Sequence, residues 1–121
     1  MNKLRTAAAL LLALGTSAAS PRDTVLVTGH YRISWEEQSF TPCEGVERWW
    51  VSDPGPLMKR YREVVPDRNW GTVYATVRVE LTDRGMYGHL GGYPRAAAVR
   101  EVREARAPRQ DDCRERVTEA R

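Results

Sequence analysis

The sequence predicts a mainly β protein, in which five strands form a small barrel and one helix lies between the third and fourth strands. Three observations predict this class. Apolar residues alternate over 25–35 and again over 72–82, as in strands with one buried face. A stripe of apolar residues at helical spacing runs through 57–65. Short segments rich in Gly, Pro and acidic residues separate these stretches.

The first 19 residues have the order of a secretory signal peptide. Lys3 and Arg5 precede an unbroken apolar run, 7–14, and a small polar segment, 15–20, follows. That run is far shorter than the ~20 residues needed to span a bilayer, which argues against an uncleaved anchor. We therefore expect cleavage after Ala19, a periplasmic location and no membrane span in the mature protein.

Removal of the leader leaves about 100 residues, which is one domain and, we expect, a monomer. The formal net charge of +3 includes the two charges of Lys3 and Arg5. A near-neutral exported chain gives no reason to expect a nucleic-acid partner. We divide the mature chain into a barrel domain, 20–107, and a segment, 108–121, that is either a charged tail or a short helix.

The first three strands follow from alternation and from turn residues. The second strand, 39–41, should end at Pro42, which has no N–H to donate to a ladder. In the third strand, 47–52, the adjacent Trp49 and Trp50 must face opposite sides, and Trp49 shares the core side with Val51. The first strand, 25–35, would direct to the core Val25, Val27, Gly29, Tyr31, Ile33 and Trp35.

The helix boundaries follow from capping residues. Asp53 is an N-cap candidate and Pro54 suits the first helical position, so the sequence predicts a helix start there. Its apolar stripe consists of Leu57, Met58, Tyr61, Val64 and Val65. Pro66 ends it.

The last element, 96–106, is ambiguous. Its alanines and charged residues favour a helix, and Val99, Val102 and Ala105 recur at every third position. However, the long fourth strand, 72–82, needs a partner, and this segment is the only one that follows it. We therefore predict a strand, with a helix as the alternative. In the tail, Cys113, Val117 and Ala120 would share one face of a short helix.

The order of three strands, a helix and two strands is that of the five-stranded OB barrel, in which the helix covers one end. An open α+β sheet with one helix is the alternative.

Several residue groups also resemble a family. These are Gly29-His30-Tyr31, Ser39-Phe40-Thr41-Pro42-Cys43, Trp49-Trp50-Val51, and Leu57 with Tyr61. They resemble the OB-type domain of NlpE-like bacterial envelope proteins over 25–81, just under half of the chain. The resemblance implies an OB-like fold and an envelope location. This chain lacks the lipidation cysteine and the separate Cys-x-x-Cys domain, so copper binding and stress signalling are not carried over to any residue here.

The two cysteines, Cys43 and Cys113, predict one disulfide in an exported protein. Free thiols are the alternative. A metal site would need His or further Cys at ligand spacing, and His30 and His89 are isolated in the sequence. We expect no metal and no other cofactor.

No catalytic motif is present. The sequence has no Gly-x-Ser-x-Gly, no His-Glu-x-x-His and no phosphate-binding glycine loop. The acidic pairs Glu36-Glu37 and Asp111-Asp112 lie in predicted turns, where carboxylates are usually solvated. We expect a protein that is not an enzyme.

A binding surface is the more specific hypothesis. By alternation, the outer face of the barrel carries aromatic residues beside arginines, which suits an anionic or sugar-like ligand or a protein partner. We expect an envelope protein or glycan as the partner. The alternative is an accessory protein with no ligand site, in which the tail or the 86–94 loop covers Trp50. The candidate binding residues are Trp50, Arg48, His30, Arg32, Tyr74 and Arg78.

Overall fold

The computed structural model describes residues 23–66 and 70–114. The predicted leader and the part of the predicted terminal helix beyond residue 114 lie outside these ranges. Within them the chain forms β1 (Thr24–Ser34), β2 (Glu37–Pro42), β3 (Trp49–Asp53), α1 (Leu57–Val64), β4 (Gly71–Leu81) and β5 (Ala96–Arg106), with a 3-10 turn at His89–Gly91. This order confirms the mainly β class, the helix between β3 and β4, and the strand at Ala96–Arg106.

The five strands pair in the closed order β1-β2-β3-β5-β4. β1 is antiparallel to β2 on one side and to β4 on the other. β3 and β5 pair in parallel through Trp50↔Ala96 and Val51↔Ala97, and this parallel pair completes the ring. The result is a small closed barrel with α1 in the connection from β3 to β4.

β5 contains two register shifts against β4. The inward residues of β4 are spaced by two, and Val77 and Val79 pair with Val102 and Val99, which are spaced by three. Each shift inserts one extra residue into β5. Such bulges bend a strand and increase its twist, and both effects help a sheet to close into a small barrel.

The core fills the barrel and extends under α1. Tyr31, Phe40 and Trp49 supply its large aromatic side chains, and the Phe40 and Trp49 rings stack with centroids 6.2 Å apart. Tyr61 of α1 meets Tyr31 edge-on at 5.6 Å, so the helix covers one end of the barrel. The remaining buried apolar side chains are Val51, Leu57, Val73, Ala75, Val77, Val79, Ala97, Val99 and Ala105. The predicted core position of Trp49 beside Val51 is confirmed.

The predicted helix start at Asp53-Pro54 is wrong by three residues. Asp53 belongs to β3, and its side chain accepts a hydrogen bond from the Gly55 N–H at 2.9 Å. Gly55 has φ of 47°, a turn conformation, and the carbonyl of Pro54 accepts from the Leu57 N–H. The Asp53 side chain therefore stabilises the turn that follows β3 and does not cap the helix. The helix begins at Leu57, after Pro56.

Two predicted core positions of β1 are exposed. Trp35 lies in the β1–β2 turn beyond the last β1–β4 pair, Ile33↔Gly71, and is 72 % exposed. Val25, near the other end of β1, is also largely exposed. Alternation continues in the sequence past the point where neighbouring strands can cover the side chain.

Candidate functional site

Five of the six predicted binding residues lie at three places on the outer face of the barrel, and Arg48 lies just before β3. Arg32, Ser39 and Trp50 form one cross-strand row from β1 through β2 to β3. His30 and Tyr74 are directly paired in the next row, which continues to Arg106 of β5. Arg78 lies farther along β4, opposite Glu101. The structure therefore brings His30 beside Tyr74 and places Arg32 and Trp50 in one row, but Arg78 lies apart and the six residues do not form one continuous site.

Arg48 borders a groove beside the start of β3. This groove, called the β3 groove below, has a volume of about 420 Å³ and is lined by Val46, Glu47, Arg48, Gly92, Tyr93 and Pro94. The Arg48 guanidinium lies 5.8 Å from the centre of the Tyr93 ring. Glu47 on the same wall is paired with Arg95 at 3.6 Å and with Arg84. The groove thus presents the Tyr93 ring together with the cationic Arg48 and with Glu47, whose charge is neutralised by two arginines.

Trp50 packs against Tyr93 but does not line the β3 groove itself. The two rings are tilted by 57° with centroids 5.4 Å apart, and Trp50 is half-buried. Gly88 of the β4–β5 loop packs directly on the indole, since a Cβ at this position would lie 2.4 Å from the Trp50 Cδ2 atom. The loop therefore covers one part of Trp50, and Trp50 supports the groove mainly through Tyr93.

Glu37 connects the predicted residues Arg32 and Arg48. Its carboxylate accepts hydrogen bonds from the hydroxyls of Ser34 and Ser39 at 2.7 and 2.8 Å and from Arg48 Nη1 at 3.1 Å, and Arg32 Nε lies 3.5 Å away. Burial alone would raise the pKa of Glu37, but these hydrogen bonds and the two arginine charges hold the pKa below its usual value. The interpretation of Glu37 as a solvated turn carboxylate is therefore wrong.

Tyr74 is covered by Arg106 and the segment 107–114, and His30 lies at the edge of this cover with its side chain 32 % exposed. Tyr74 is only 8 % exposed, because the Arg106 guanidinium lies 4.3 Å above its ring and the His30 ring lies 5.3 Å from it on another side. Asp112 completes the cluster. Its carboxylate is 2 % exposed and accepts from Arg106 Nη2 and from the Arg109 N–H, both at 2.6 Å.

The charge of Asp112 is stabilised within this cluster. Burial would raise the pKa of the carboxyl, but the hydrogen bonds from Arg106 and from the Arg109 backbone, with the Arg106 charge and His30 nearby, lower it. His30 Nε2 lies 3.9 Å from Asp112 Oδ2. An ionised Asp112 thus occupies the position that an external anion would need in order to reach Arg106 and His30.

A disulfide between Cys43 and Cys113 fixes this segment in place, as the sequence predicted. It joins the turn after β2 to the residue that follows Asp112, and the Cys43 sulfur lies 3.9 Å from the Tyr74 hydroxyl. The segment 107–114 is therefore a covalently attached cover over the His30–Tyr74 row.

Arg78 has a local role. Its Nε donates to Glu101 Oε2 at 3.3 Å, and Arg103 donates to the other Glu101 oxygen at 2.8 Å. The outer face there is an ion-pair network across β4 and β5.

Tyr93, Arg106 and Asp112 take part in these sites, and sequence reasoning did not select them. Tyr93 lies in a glycine-rich loop, and Asp112 lies in the predicted tail, outside the helical face of Cys113, Val117 and Ala120 that its sequence suggested. The signal that could have found Asp112 was its neighbour Cys113, since a disulfide to residue 43 necessarily brings residue 112 to the barrel surface.

Two features of the described residues bear on ligand class. Among residues 23–66 and 70–114, no group of three or more His, Cys, Asp or Glu side chains is arranged to hold a metal ion. In the same part of the chain, no helix has the length and apolar character required to cross a membrane.

No protein-family model matches the chain, and comparisons with curated proteins and with solved structures find no match either.

Proposed function

We propose that this protein is an exported, non-catalytic binding or adaptor module of the bacterial cell envelope, built on an OB-like barrel. The observation that carries the proposal is the β3 groove, in which Arg48 and Tyr93 frame about 420 Å³ of space. Pockets of this size commonly hold small ligands or the side chains of a partner. The relationship to NlpE-like proteins is part of the same proposal and rests on the sequence resemblance alone.

The topology supports the OB-like assignment. The closed strand order β1-β2-β3-β5-β4, with a helix between β3 and β4, is consistent with an OB barrel. OB barrels bind ligands on the face of strands 2 and 3 and with the loops beside it. The β3 groove lies at the start of β3 and is bordered by Tyr93 and Pro94 of the β4–β5 loop.

The chemistry of the groove favours a polar ligand with a flat or apolar side. The Tyr93 ring, supported by Trp50, offers a stacking surface. Arg48 can donate several hydrogen bonds from its exposed guanidinium while it remains paired with Glu37. A sugar ring of an envelope glycan, or a short segment of an envelope protein, has this combination of groups.

One observation favours a second function, that of an accessory envelope protein without a ligand. Trp50 is packed under Gly88 and Tyr93, so this ring enlarges the hydrophobic packing of the molecule. Substitution of Trp50 alone would therefore lower stability under both functions and would not distinguish them. The test must use Arg48, which is exposed.

The experiment is native mass spectrometry of the protein released gently from its own host, as wild type, Arg48→Ala and Arg103→Ala. Arg103 is the matched control, because it is similarly exposed (53 % against 57 %) and also pairs with one glutamate. We expect wild type and Arg103→Ala to carry additional non-covalent mass, of glycan or protein, and Arg48→Ala to lose most of it.

Each outcome has a defined meaning. A bare monomer in all three samples would contradict the binding proposal and leave the accessory function. Equal retention by Arg48→Ala and Arg103→Ala would remove the β3 groove as the site. A covalent mass that still includes residues 1–19 would contradict export, since cleavage after Ala19 is expected.

A further inference from the structure

Two tryptophans lie side by side on the surface, away from the β3 groove. Trp35 is 72 % exposed and Trp70 is 60 % exposed, and their ring centroids are 6.0 Å apart at 63°. Single exposed apolar residues are common on soluble proteins, but adjacent large ones mark contact surfaces. Neither ring is required for the core, which is filled by Tyr31, Phe40 and Trp49.

The pair lies at the helix-covered end of the barrel. Trp35 follows β1 and Trp70 precedes β4, next to Gly71, which forms the last β1–β4 pair. The Gly71 N–H donates to the Tyr61 hydroxyl at 2.9 Å, and the Val65 side chain lies against Gly71. The last turn of α1 is therefore immediately beside the tryptophan pair.

The solvent side of α1 is basic. Lys59, Arg60 and Arg62 are exposed, while Leu57 and Tyr61 are buried in the core. The acidic residue of the helix is Glu63, which lies 3.7 Å from Arg60. Because Leu57 and Tyr61 pack into the barrel and Met58, Val64 and Val65 are partly buried against it, the helix contributes mainly charge to a partner.

We propose that this end of the molecule, Trp35 and Trp70 with the basic side of α1, docks onto an anionic phospholipid surface. Tryptophan rings favour the boundary between hydrocarbon and water, where one part of the ring is apolar and the indole N–H stays solvated. Lysine and arginine are attracted to anionic headgroups. Charge complementarity therefore selects an anionic lipid surface rather than an uncharged glycan as the occupant.

The β3 groove shares no lining residue with the proposed lipid-docking end. Val46 and Arg48 of the groove precede the start of β3, whereas α1 follows the end of β3. The two surfaces are joined at the β1–β2 turn, where Arg48 pairs with Glu37 and His89 of the β4–β5 loop pairs with Glu36, next to Trp35. Surface attachment is independent of the proposed groove function, and either can fail without the other.

The test is vesicle co-sedimentation of the leader-less chain, using vesicles of phosphatidylglycerol with phosphatidylethanolamine and, separately, of phosphatidylcholine. We expect binding to the anionic vesicles at low salt, loss of binding at high salt, and a blue shift of tryptophan fluorescence on binding. Binding should fall about fivefold for each basic residue removed, so Lys59→Gln with Arg62→Gln should weaken it about 25-fold.

Matched variants separate this surface from general effects. Trp35→Ser with Trp70→Ser should abolish the fluorescence shift and weaken binding at least about tenfold, and Trp35→Ser alone should weaken it less. Leu90→Ser, at a residue 88 % exposed, and Arg103→Gln with Arg109→Gln are the controls and should bind like wild type. Circular dichroism of each variant checks the fold.

The proposal is overturned if wild type fails to bind anionic vesicles at low salt. It is also overturned if the control variants lose as much binding as the tryptophan and helix variants, or if phosphatidylcholine binds equally well. Perturbation of Trp35 and Trp70 by a glycan or a protein, with no vesicle binding, would assign this surface to that partner.

Discussion

At the scale of single residues, Gly88 determines how closely the β4–β5 loop approaches β3. Its φ is 71°, a conformation that side chains with a Cβ rarely adopt, and its Cα faces the Trp50 indole directly. Both properties require glycine. The shape of the β3 groove therefore depends on a residue that does not line it.

We predict that Gly88→Ala destabilises the protein by about 2–4 kcal/mol. Roughly 1 kcal/mol comes from the positive-φ backbone conformation, which residues with a Cβ rarely adopt, and about 1–3 kcal/mol from the clash with Trp50. Gly45→Ala is the matched control, because φ at Gly45 is also positive, at 91°, but a Cβ there meets nothing within 4 Å.

Urea unfolding of both variants, followed by tryptophan fluorescence, measures the two contributions. Gly45→Ala should lose only about 1 kcal/mol, which is the backbone contribution. Equal losses in the two variants would mean that the loop moves away from Trp50 without cost.

At the scale of elements, β5 explains why the sequence left 96–106 ambiguous. The spacing of three between Val99, Val102 and Ala105 is the spacing expected on a helix, but the structure produces it with two bulges in a strand. The need of β4 for a partner predicted the strand correctly. The bulges themselves could not be predicted, because they are set by the closure of the barrel and not by local residue preference.

The turn before α1 is a second case in which tertiary context changed a local signal. Asp-Pro is a common helix start, but Pro54-Gly55-Pro56 lets Asp53 remain in β3 and bond the Gly55 N–H. The sequence pattern identified the helix and its buried stripe correctly, and it misplaced only the first residue. Asp and Pro are common both in turns and at helix starts, so the local sequence does not define the first residue of α1.

The cover formed by 107–114 is the element whose attachment can be tested directly. We predict that Cys43→Ser with Cys113→Ser lowers the free energy of unfolding by about 4 kcal/mol, because the crosslink closes a loop of about 70 residues in the unfolded chain. Tyr74 should also become more accessible to solvent. Urea unfolding and amide hydrogen exchange measure the two effects.

Reduction of the wild-type disulfide and the single variants are the controls for this prediction. All of them should show the same loss as the double variant, since each opens the same loop. A double variant as stable as wild type would show that Asp112, Arg106 and His30 hold the cover without the crosslink.

At the scale of the whole molecule, stability should depend on pH through Tyr31. This residue is fully buried and accepts a hydrogen bond from Gln38 at 2.6 Å. Burial raises the pKa of Tyr31 from 10.0 to about 12, although the Gln38 hydrogen bond opposes the rise. Because the folded-state pKa is the higher one, the stabilisation is present below about pH 10 and is lost as the pH rises toward about 12.

We predict that Tyr31→Phe makes the protein less sensitive to alkali. Between about pH 8 and about pH 11, wild type should lose roughly 1 kcal/mol more free energy of unfolding than Tyr31→Phe does. At the lower pH the variant should be about 1 kcal/mol less stable, because Gln38 loses its acceptor. Urea unfolding at the two pH values measures both differences, and parallel losses in the two proteins would contradict the assignment to Tyr31.

Contacts between distant parts of the chain limit how much of the candidate site could be predicted from the sequence. Alternation correctly placed Arg48, Trp50 and Tyr74 outside the core formed by Trp49 and its neighbours. It could not show that Arg106 and the segment 107–114 cover Tyr74, or that the β4–β5 loop covers part of Trp50. Those contacts join residues more than 30 positions apart, and no local period records them.

The crosslink from Cys43 to Cys113 has a mechanical consequence. A force applied at the C-terminal end reaches residue 43, in the turn after β2, before it can separate β5 from β4 pair by pair. The last strand is thus protected from peeling, and tension on a tethered tail is shared with the middle of the chain. Some proteases pull a substrate through a narrow pore from one end. Starting from the C-terminal side, such a protease would have to pull in two crosslinked segments of the chain together until the disulfide is reduced.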